Sequence, residues 1–369
     1  MDIREFYREK KVLITGHTGF KGSWMCCMLK EFGAKVYGVG LQEESNSLYR
    51  CANVASKVCA SYIDDIRDCN RLVQIFNEVK PEIVIHMAAQ PLVRESYENP
   101  VYTYEVNVLG TVNVLECARH TDSVKSIVNV TTDKVYKNRE WEWGYRECEE
   151  LNGYDPYSNS KSCSELVTSS YVNSFFKDKK VAVSTMRAGN VIGGGDFAKD
   201  RIIPDCVRAT VDKKSIVVRN PYSTRPFQHV LEPVYAYLYV AMRQYLDITL
   251  AGNYNVGPEE SDCLKTGNLV DLFCDTWKDR AKEHKTSLDT CNYSINPCWE
   301  NISDEGPHEA NFLKLDCSKI KRVFGIKPRW NIKQTMEKLV EWYMLYYDGG
   351  DIDSCMRSQI EEYLSFCKM

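Results

Sequence analysis

The glycine run Thr15-Gly16-His17-Thr18-Gly19-Phe20-Lys21-Gly22 lies between a short β-rich stretch, Lys11–Thr15 (KVLIT), and a helical one, Ser23–Phe32 (SWMCCMLKEF). A strand that feeds a helix through closely spaced glycines admits few folds. Gly16 makes the tight turn, Gly19 lets backbone approach a pyrophosphate, and Gly22 lets helix and strand pack closely. The free N–H groups of the helix start then favour a phosphate. Out of context the spacing is equally a plain glycine turn; opening the first strand–helix unit of the chain, it reads as a dinucleotide loop.

The rhythm continues through the first half. Lys35–Val39, Ala60–Ile66, Ile83–His86, Ile127–Val130 and Val181–Met186 read as strands. Asp68–Val79, Val101–Arg119 and Tyr157–Phe176 read as helices, the first with Leu72, Ile75, Phe76 and Val79 at helical spacing. Strand, helix, strand in sequence implies parallel pairing with right-handed crossovers, hence an α/β, Rossmann-type doubly wound sheet. After Arg187 the segments lengthen and turns multiply: Gly193-Gly194-Gly195-Asp196, Asn220-Pro221, Gly257-Pro258, Asn296-Pro297, Gly306-Pro307. Helices recur at His229–Tyr245, Leu269–Trp277 and Lys333–Tyr346, and a terminal one follows Gly349-Gly350. Residues 1–187 are therefore expected to bind the dinucleotide, and 188–369 to form a smaller mixed α/β substrate domain. The boundary is soft, because chains of this kind cross between lobes.

Composition excludes several classes. With 47 Lys+Arg against 51 Asp+Glu the net charge is −4, which does not suit a nucleic-acid scaffold. No apolar run is long enough to span a membrane, and the charged start Met1–Lys11 has no signal-peptide core. The 16 cysteines include no C-x-x-C pair and no zinc spacing, so they read as reduced, mostly buried hydrophobes in a reducing cytoplasm, with no metal.

Tyr157-Ser158-Asn159-Ser160-Lys161 is a Y-x-x-x-K, which puts Tyr and Lys on one helix face. A Tyr of ordinary pKa, about 10, is a poor base at neutral pH. A nearby ammonium and a cationic nicotinamide favour the phenolate, which then takes a proton from an alcohol as hydride leaves its carbon. The bland alternative is an amphipathic helix face. The acid that would grip an adenosine ribose is missing, since the second strand ends Gly40-Leu41-Gln42; NAD versus NADP stays open there. Asp65, after the third strand, is a candidate for the adenine amino group.

Together these residues resemble the extended short-chain dehydrogenase/reductase superfamily over nearly the whole chain. The elements come in that superfamily's order: Thr15–Gly22, Asp65-Ile66, His86-Met87-Ala88-Ala89-Gln90, Asn107, Thr131-Thr132-Asp133-Lys134, then Tyr157 with Lys161. The resemblance implies NAD, held by Gly16, Gly19, Phe20, Gly22, Asp65, Ile66, Ala88, Ala89, Gln90 and Asn107 together with Tyr157 and Lys161. Epimerases of the superfamily follow the first Thr with small or apolar residues. Sugar-nucleotide 4,6-dehydratases instead carry Thr-Asp-Glu, where Asp protonates the departing C6 hydroxyl and Glu removes the C5 proton.

Here Lys134 replaces the Glu, which resembles the branch of dehydratases that act on CDP-glucose. Residues 16–24, 141–147, 153–161, 187–196 and 225–230 resemble the same branch. The implied catalytic set is Thr132, Asp133, Lys134, Tyr157 and Lys161. Lys134 is either the C5 base or a lysine paired with Asp133 or a nearby acid for orientation. Asn190, Arg201 and Arg225 are expected on the substrate diphosphate, a guanidinium matching phosphate bidentately. Trp141 and Trp143 either line the sugar pocket or close the core, and His229 and His308 receive no role. The resemblance further implies a homodimer through Val101–Arg119 and the helix starting at Tyr157, and a product bound for a bacterial surface polysaccharide. The alternatives are an epimerase or a dehydratase of another nucleotide, against the first of which Asp133 stands, and a silent NAD(P)-binding protein, against which Tyr157 and Lys161 stand.

Overall fold

The strand stretches pair into one seven-stranded parallel sheet. β1 (Lys11–Thr15) lies between β2 (Lys35–Gly40) and β4 (Ile83–His86), and β3 (Ala60–Ile63) adds outside β2. β5 (Ser126–Thr132), β6 (Ala182–Ala188) and β7 (Asn253–Val256) extend the other flank. Strand order therefore reverses between β1 and β4, and a ligand crevice opens at the carboxyl ends of the strands there. The computed structural model describes residues 1–283, 293–294, 296–302 and 312–366; Gly306-Pro307 and His308 lie outside them.

Side-chain alternation builds two cores. Val12 and Ile14 of β1 point to one face, with Trp24 of α1 (Phe20–Glu31) and Val234 and Leu238 of a later helix. Leu13 points to the other face, with Leu72, Ile75 and Phe76 of α2 (Cys69–Val79) and Val114 and Leu115 of α3 (Gly110–Arg119). Every residue of β5 and β6 is buried, as strands covered on both faces must be.

The helix that follows β5 departs from this apolar logic. α4 (Pro156–Tyr171) starts at a proline capped by Asp155, whose carboxylate accepts from Ser158 N. Its buried face is polar: Ser158, Ser160, Lys161, Ser162, Ser164, Glu165 and Thr168. Those groups are matched by the sheet. Asn129 Nδ2 donates to Ser164 (3.0 Å) and Thr168 (2.8 Å), and Ser162 donates to the Val135 carbonyl (2.7 Å). The expected helix Val101–Arg119 is one continuous run, but its middle, Glu105–Leu109, widens to i→i+5 turns.

After β6 the chain runs through α5 (Ile202–Val211) and α6 (Leu231–Leu246) and returns to the sheet as β7. α6 docks on β5 and β6: Ser126 donates to the Ala241 carbonyl (2.9 Å), and Gln244 Nε2 donates to that of Ile127 (2.9 Å). Among the described residues four further α-helices follow, Thr266–Glu283, Ser318–Phe324, Ile332–Tyr347 and Ile352–Ser365. Among the described residues no helix is long and apolar enough to cross a membrane, and the described cysteines are unpaired.

Candidate active site

The loop between β1 and α1 is shaped for close approach. Gly16 has φ +78°, and a Cβ there would lie 2.8 Å from Ala88 N. A Cβ on Gly22 would lie 2.1 Å from the Gly16 carbonyl oxygen, so only glycine lets α1 start this close to the turn. Gly19 is the N-cap of α1 and no side chain caps it, so the first N–H groups of the helix, from Phe20 on, face the crevice free. The β4 loop is tied to the same strand end. Thr15 Oγ1 accepts from both Met87 N and Ala88 N (3.1 Å each), and Gln90 N donates to Asn107 Oδ1 (2.9 Å). Asn107 Nδ2 donates onward to Ser160 (2.9 Å), joining this loop to α4. Ala89 lies between these anchors.

Other expected cofactor contacts sit differently. The Asp65 carboxylate is gripped by Arg67 (Nη2 2.8 Å, Nε 3.0 Å), and Ile66 is buried in the core. The His17 ring covers β2, whose end carries no acid: a Cβ on Gly38 would lie 2.1 Å from His17 Cδ2. His17 Nε2 bonds Ser61 Oγ (2.7 Å).

Across the crevice, the carboxyl end of β5 delivers Thr132 and Asp133. Thr132 Oγ1 donates to Asp133 Oδ1 (3.0 Å) and faces the Tyr157 hydroxyl. Asp133 is 2% exposed, and among the described residues its Oδ2 has no hydrogen-bond partner. Burial raises its carboxyl above the usual range, opposed by Lys134, Thr132 and Arg225. Lys134 forms no ion pair with it, and no described residue is hydrogen-bonded to its Nζ, although the two groups are close enough for Lys134 to oppose the effect of burial on Asp133.

Tyr157 and Lys161 share one face of α4 as their spacing requires. Burial pushes the Tyr157 phenol up to about 12; Thr132 and Arg201 pull it down, while Asp133 and Asp155 push it further. Lys161 is 4% exposed, and its Nζ donates to the Val130 carbonyl (3.2 Å). Burial brings its ammonium down to about 7, Lys21 adds repulsion, and Glu165 opposes both. Lys21 was not singled out by the sequence, although it stands inside the glycine run. Burial and Arg201 lower it to about 8 against the pull of Asp133 and Asp196.

The expected diphosphate residues line the same side. Arg201 Nη1 pairs with Asp196 Oδ2 at 2.9 Å. Arg225 is 7% exposed and acts on Asp133. Asn190 lies on the turn after β6, its carbonyl accepting from Gln228 N (3.0 Å). His229 is structural: buried, its Nδ1 accepts from Leu231 N (3.2 Å), and its ring packs edge-on against Trp330. Trp141 packs on the small core cluster of Val135, Tyr136, Tyr145 and Leu313, whereas Trp143 is exposed. The two rings meet edge to face and line a 680 Å³ cavity walled by Pro226, Lys314 and Cys317.

Comparison with known proteins places these features in company. The family profile described as GDP-mannose 4,6 dehydratase matches residues 13–339. The CDP-glucose 4,6-dehydratase of Salmonella typhimurium is 44% identical over 98% of both chains. The dTDP-glucose 4,6-dehydratase of Haemophilus influenzae is 25% identical over 90% of this chain and 97% of its own. Among solved structures, the dTDP-glucose 4,6-dehydratase DesIV from Streptomyces venezuelae, with NAD and TYD bound, superposes with a TM-score of 0.74 at 22% identity, covering 92% of this chain and 98% of its own. A Thermus thermophilus UDP-glucose 4-epimerase in complex with NAD also scores 0.74, at 22% identity over 90% of this chain and 98% of its own.

Proposed function

The chain belongs to the GDP-mannose 4,6-dehydratase family, and on that premise we propose that it is an NAD-dependent hydro-lyase converting CDP-D-glucose to CDP-4-keto-6-deoxy-D-glucose and water. The observation that carries the reading is Asp133, a buried carboxyl with one bare oxygen beside the Thr132 and Tyr157 hydroxyls. Epimerisation needs a base at one carbinol, whereas loss of water also needs an acid for the leaving hydroxyl. The CDP part rests on the full-length likeness to the Salmonella enzyme.

The residues present fit a dinucleotide. The cradle at Gly16 and Gly22 would be filled by any Cβ, and the uncapped start of α1 offers N–H donors to a diphosphate. Gly16, Gly19, Phe20 and Gly22 would hold that diphosphate, with Tyr157 and Lys161 at the reacting end. Bound there, NAD supplies the carrier for the hydride that leaves C4 and returns at C6.

The chain's own groups do the proton work. Thr132 donates a hydrogen bond to O4 of the hexose, and Tyr157 takes the O4 proton. The 4-ketone acidifies C5–H, and the neutral amine of Lys134, whose Nζ no described residue engages, takes that proton and returns it to C5 as hydride reaches C6. Asp133 delivers its proton to the departing C6 hydroxyl, which leaves as water. Asn190, Arg201 and Arg225, from residues 188–369, hold the nucleotide diphosphate.

Mass spectrometry after incubation with CDP-glucose and NAD, with dTDP- and GDP-hexoses in parallel, tests this. The expected result is loss of one water from CDP-glucose alone with no net reduced cofactor. Loss of water from another donor removes the CDP assignment, and an unchanged mass on every donor removes the dehydratase reading.

The working unit is a homodimer in a reducing compartment such as the cytoplasm, its product feeding deoxysugar synthesis. In support of the dimer, Val101 (71% exposed), Leu109 (56%) and Leu166 (57%) stand on neighbouring helices bridged by Tyr104 OH donating to Asn159 Oδ1 (3.0 Å). Leu166→Glu is expected to yield a monomer in light scattering, and an unchanged mass would exclude this face.

A further inference from the structure

Beneath the reacting pair lies an ion pair that the proposed chemistry leaves unused. Glu165 follows Lys161 by one turn of α4 and is 3% exposed; Arg187, on β6, is 1% exposed. The contact is two-pronged, Arg187 Nε to Glu165 Oε1 at 2.9 Å and Nη2 to Oε2 at 2.8 Å. The rest of each group is also matched. Thr131 Oγ1 donates to Glu165 Oε1 (2.5 Å) and Thr185 Oγ1 to Oε2 (2.6 Å). Arg187 Nη1 donates to Tyr136 OH (2.9 Å) and to the Glu147 carbonyl (3.1 Å).

This pair reaches Lys161 through two indirect links. Thr131, held by Glu165, follows the Val130 carbonyl that accepts from Lys161 Nζ. Glu165 also favours the charged form of Lys161 against burial and Lys21. The other ionisable groups around Lys161 are Tyr157 on its own helix, His86 of β4, which burial and then Lys161 hold below the usual imidazole range, and Lys21 of α1. Through Lys21 come Asp133, Asp196 and Arg201. None of these is bound to Lys161 as a fixed counter-charge among the described residues.

We propose that Glu165 and Arg187 are positioning residues of the reaction: their matched charges set the local field at Lys161, and Glu165 fixes the strand end on which its ammonium rests. The inference rests on the dehydratase reading above. Wild-type turnover of CDP-glucose tests that reading, whereas the position of the pH profile in variants tests this one.

The sign follows from charge. The Tyr157–Lys161 pair must lose one proton to act as a base, and its two titrations are shared. Glu165→Gln leaves the Arg187 cation unmatched, so the first proton leaves more easily. The surviving proton then stays on Tyr157 rather than Lys161. The acid limb of the rate of 340 nm absorbance, seen in a single turnover, is expected to move down by about one pH unit, with a lower plateau. The double variant Glu165→Gln with Arg187→Gln carries no unmatched charge, and its limb returns to within about 0.3 unit of wild type. Arg187→Lys keeps the cation and leaves the limb in place while lowering the melting temperature.

A purely structural pair would lower melting temperature and plateau in all three without moving the limb. An unmoved limb in Glu165→Gln, or a limb that stays displaced in the double variant, would overturn the proposal. Should Glu165→Gln not fold, Arg187→Gln takes its place: it is expected to move the limb upward, and no movement there overturns the proposal equally.

Discussion

Tyr157→Phe is expected to lower turnover of the proposed substrate, CDP-glucose, by about three orders of magnitude and to remove the transient 340 nm absorbance of a single turnover. The first step of the proposed reaction needs a group that takes the O4 proton. Beside Thr132 the Tyr157 hydroxyl is that group, since a phenol ionises far more readily than the aliphatic Thr132 hydroxyl, which serves as a donor. His86, the nearest ring base, is bonded on both sides, to Thr15 (2.7 Å) and Thr111 (3.1 Å), and burial with Lys161 lowers it to about 3. The deletion should cost little fold stability. Helix α4 is started by Pro156 and capped by Asp155, neither of which uses the phenol. A melting temperature within about two degrees of wild type, with activity gone, is the expected combination. Retention of a tenth of wild-type turnover would assign the base elsewhere.

How much of this site could be read from sequence follows from how local each part is. The glycine run and the Tyr157–Lys161 spacing are local patterns, and the fold keeps both, because a turn and one helix face are set within a few residues. β7 escaped the reading. Asn253–Val256 is a four-residue strand in a loop-rich stretch, and it becomes a strand by pairing with β6, about seventy residues earlier in the chain. The polar face of α4 also resisted, since a helix rich in serine reads as solvent-exposed; the strip on β5 and β6 that satisfies it, Asn129, Thr131 and Thr185, is known only once the sheet forms. Lys161 is expected to favour the phenolate and to help hold the cofactor, and in the fold its Nζ rests on the Val130 carbonyl, a contact no local pattern announces. Glu165 had a readable signal, a carboxylate one further turn along the same face, but its partner Arg187 is brought by the sheet. The missing acid at the end of β2 was visible, whereas the His17 ring that covers the strand was not.

Asp133→Asn is expected to separate the two halves of the reaction. The amide keeps an oxygen where Oδ1 accepts from Thr132, and places its nitrogen where Oδ2 has no partner, so the pocket need not rearrange. Oxidation at C4 uses Thr132 and Tyr157 and should survive within about tenfold. Expulsion of the C6 hydroxyl loses its acid, and formation of the 6-deoxy product should fall by about a thousandfold. Burial at 2% exposure suits the native carboxyl to protonating that hydroxyl, because it raises the pKa above the usual carboxylate range in spite of Lys134 and Arg225 nearby. The variant should therefore accumulate absorbance at 340 nm on mixing with CDP-glucose and hold it, where wild type shows a rise and decay and Tyr157→Phe shows neither. An equal loss of that absorbance in Asp133→Asn and Tyr157→Phe would mean that both residues serve the first step. The elimination would then have to draw its proton from another group, and Lys134, the neighbouring cation with no described acceptor, would be the first to test by Lys134→Met.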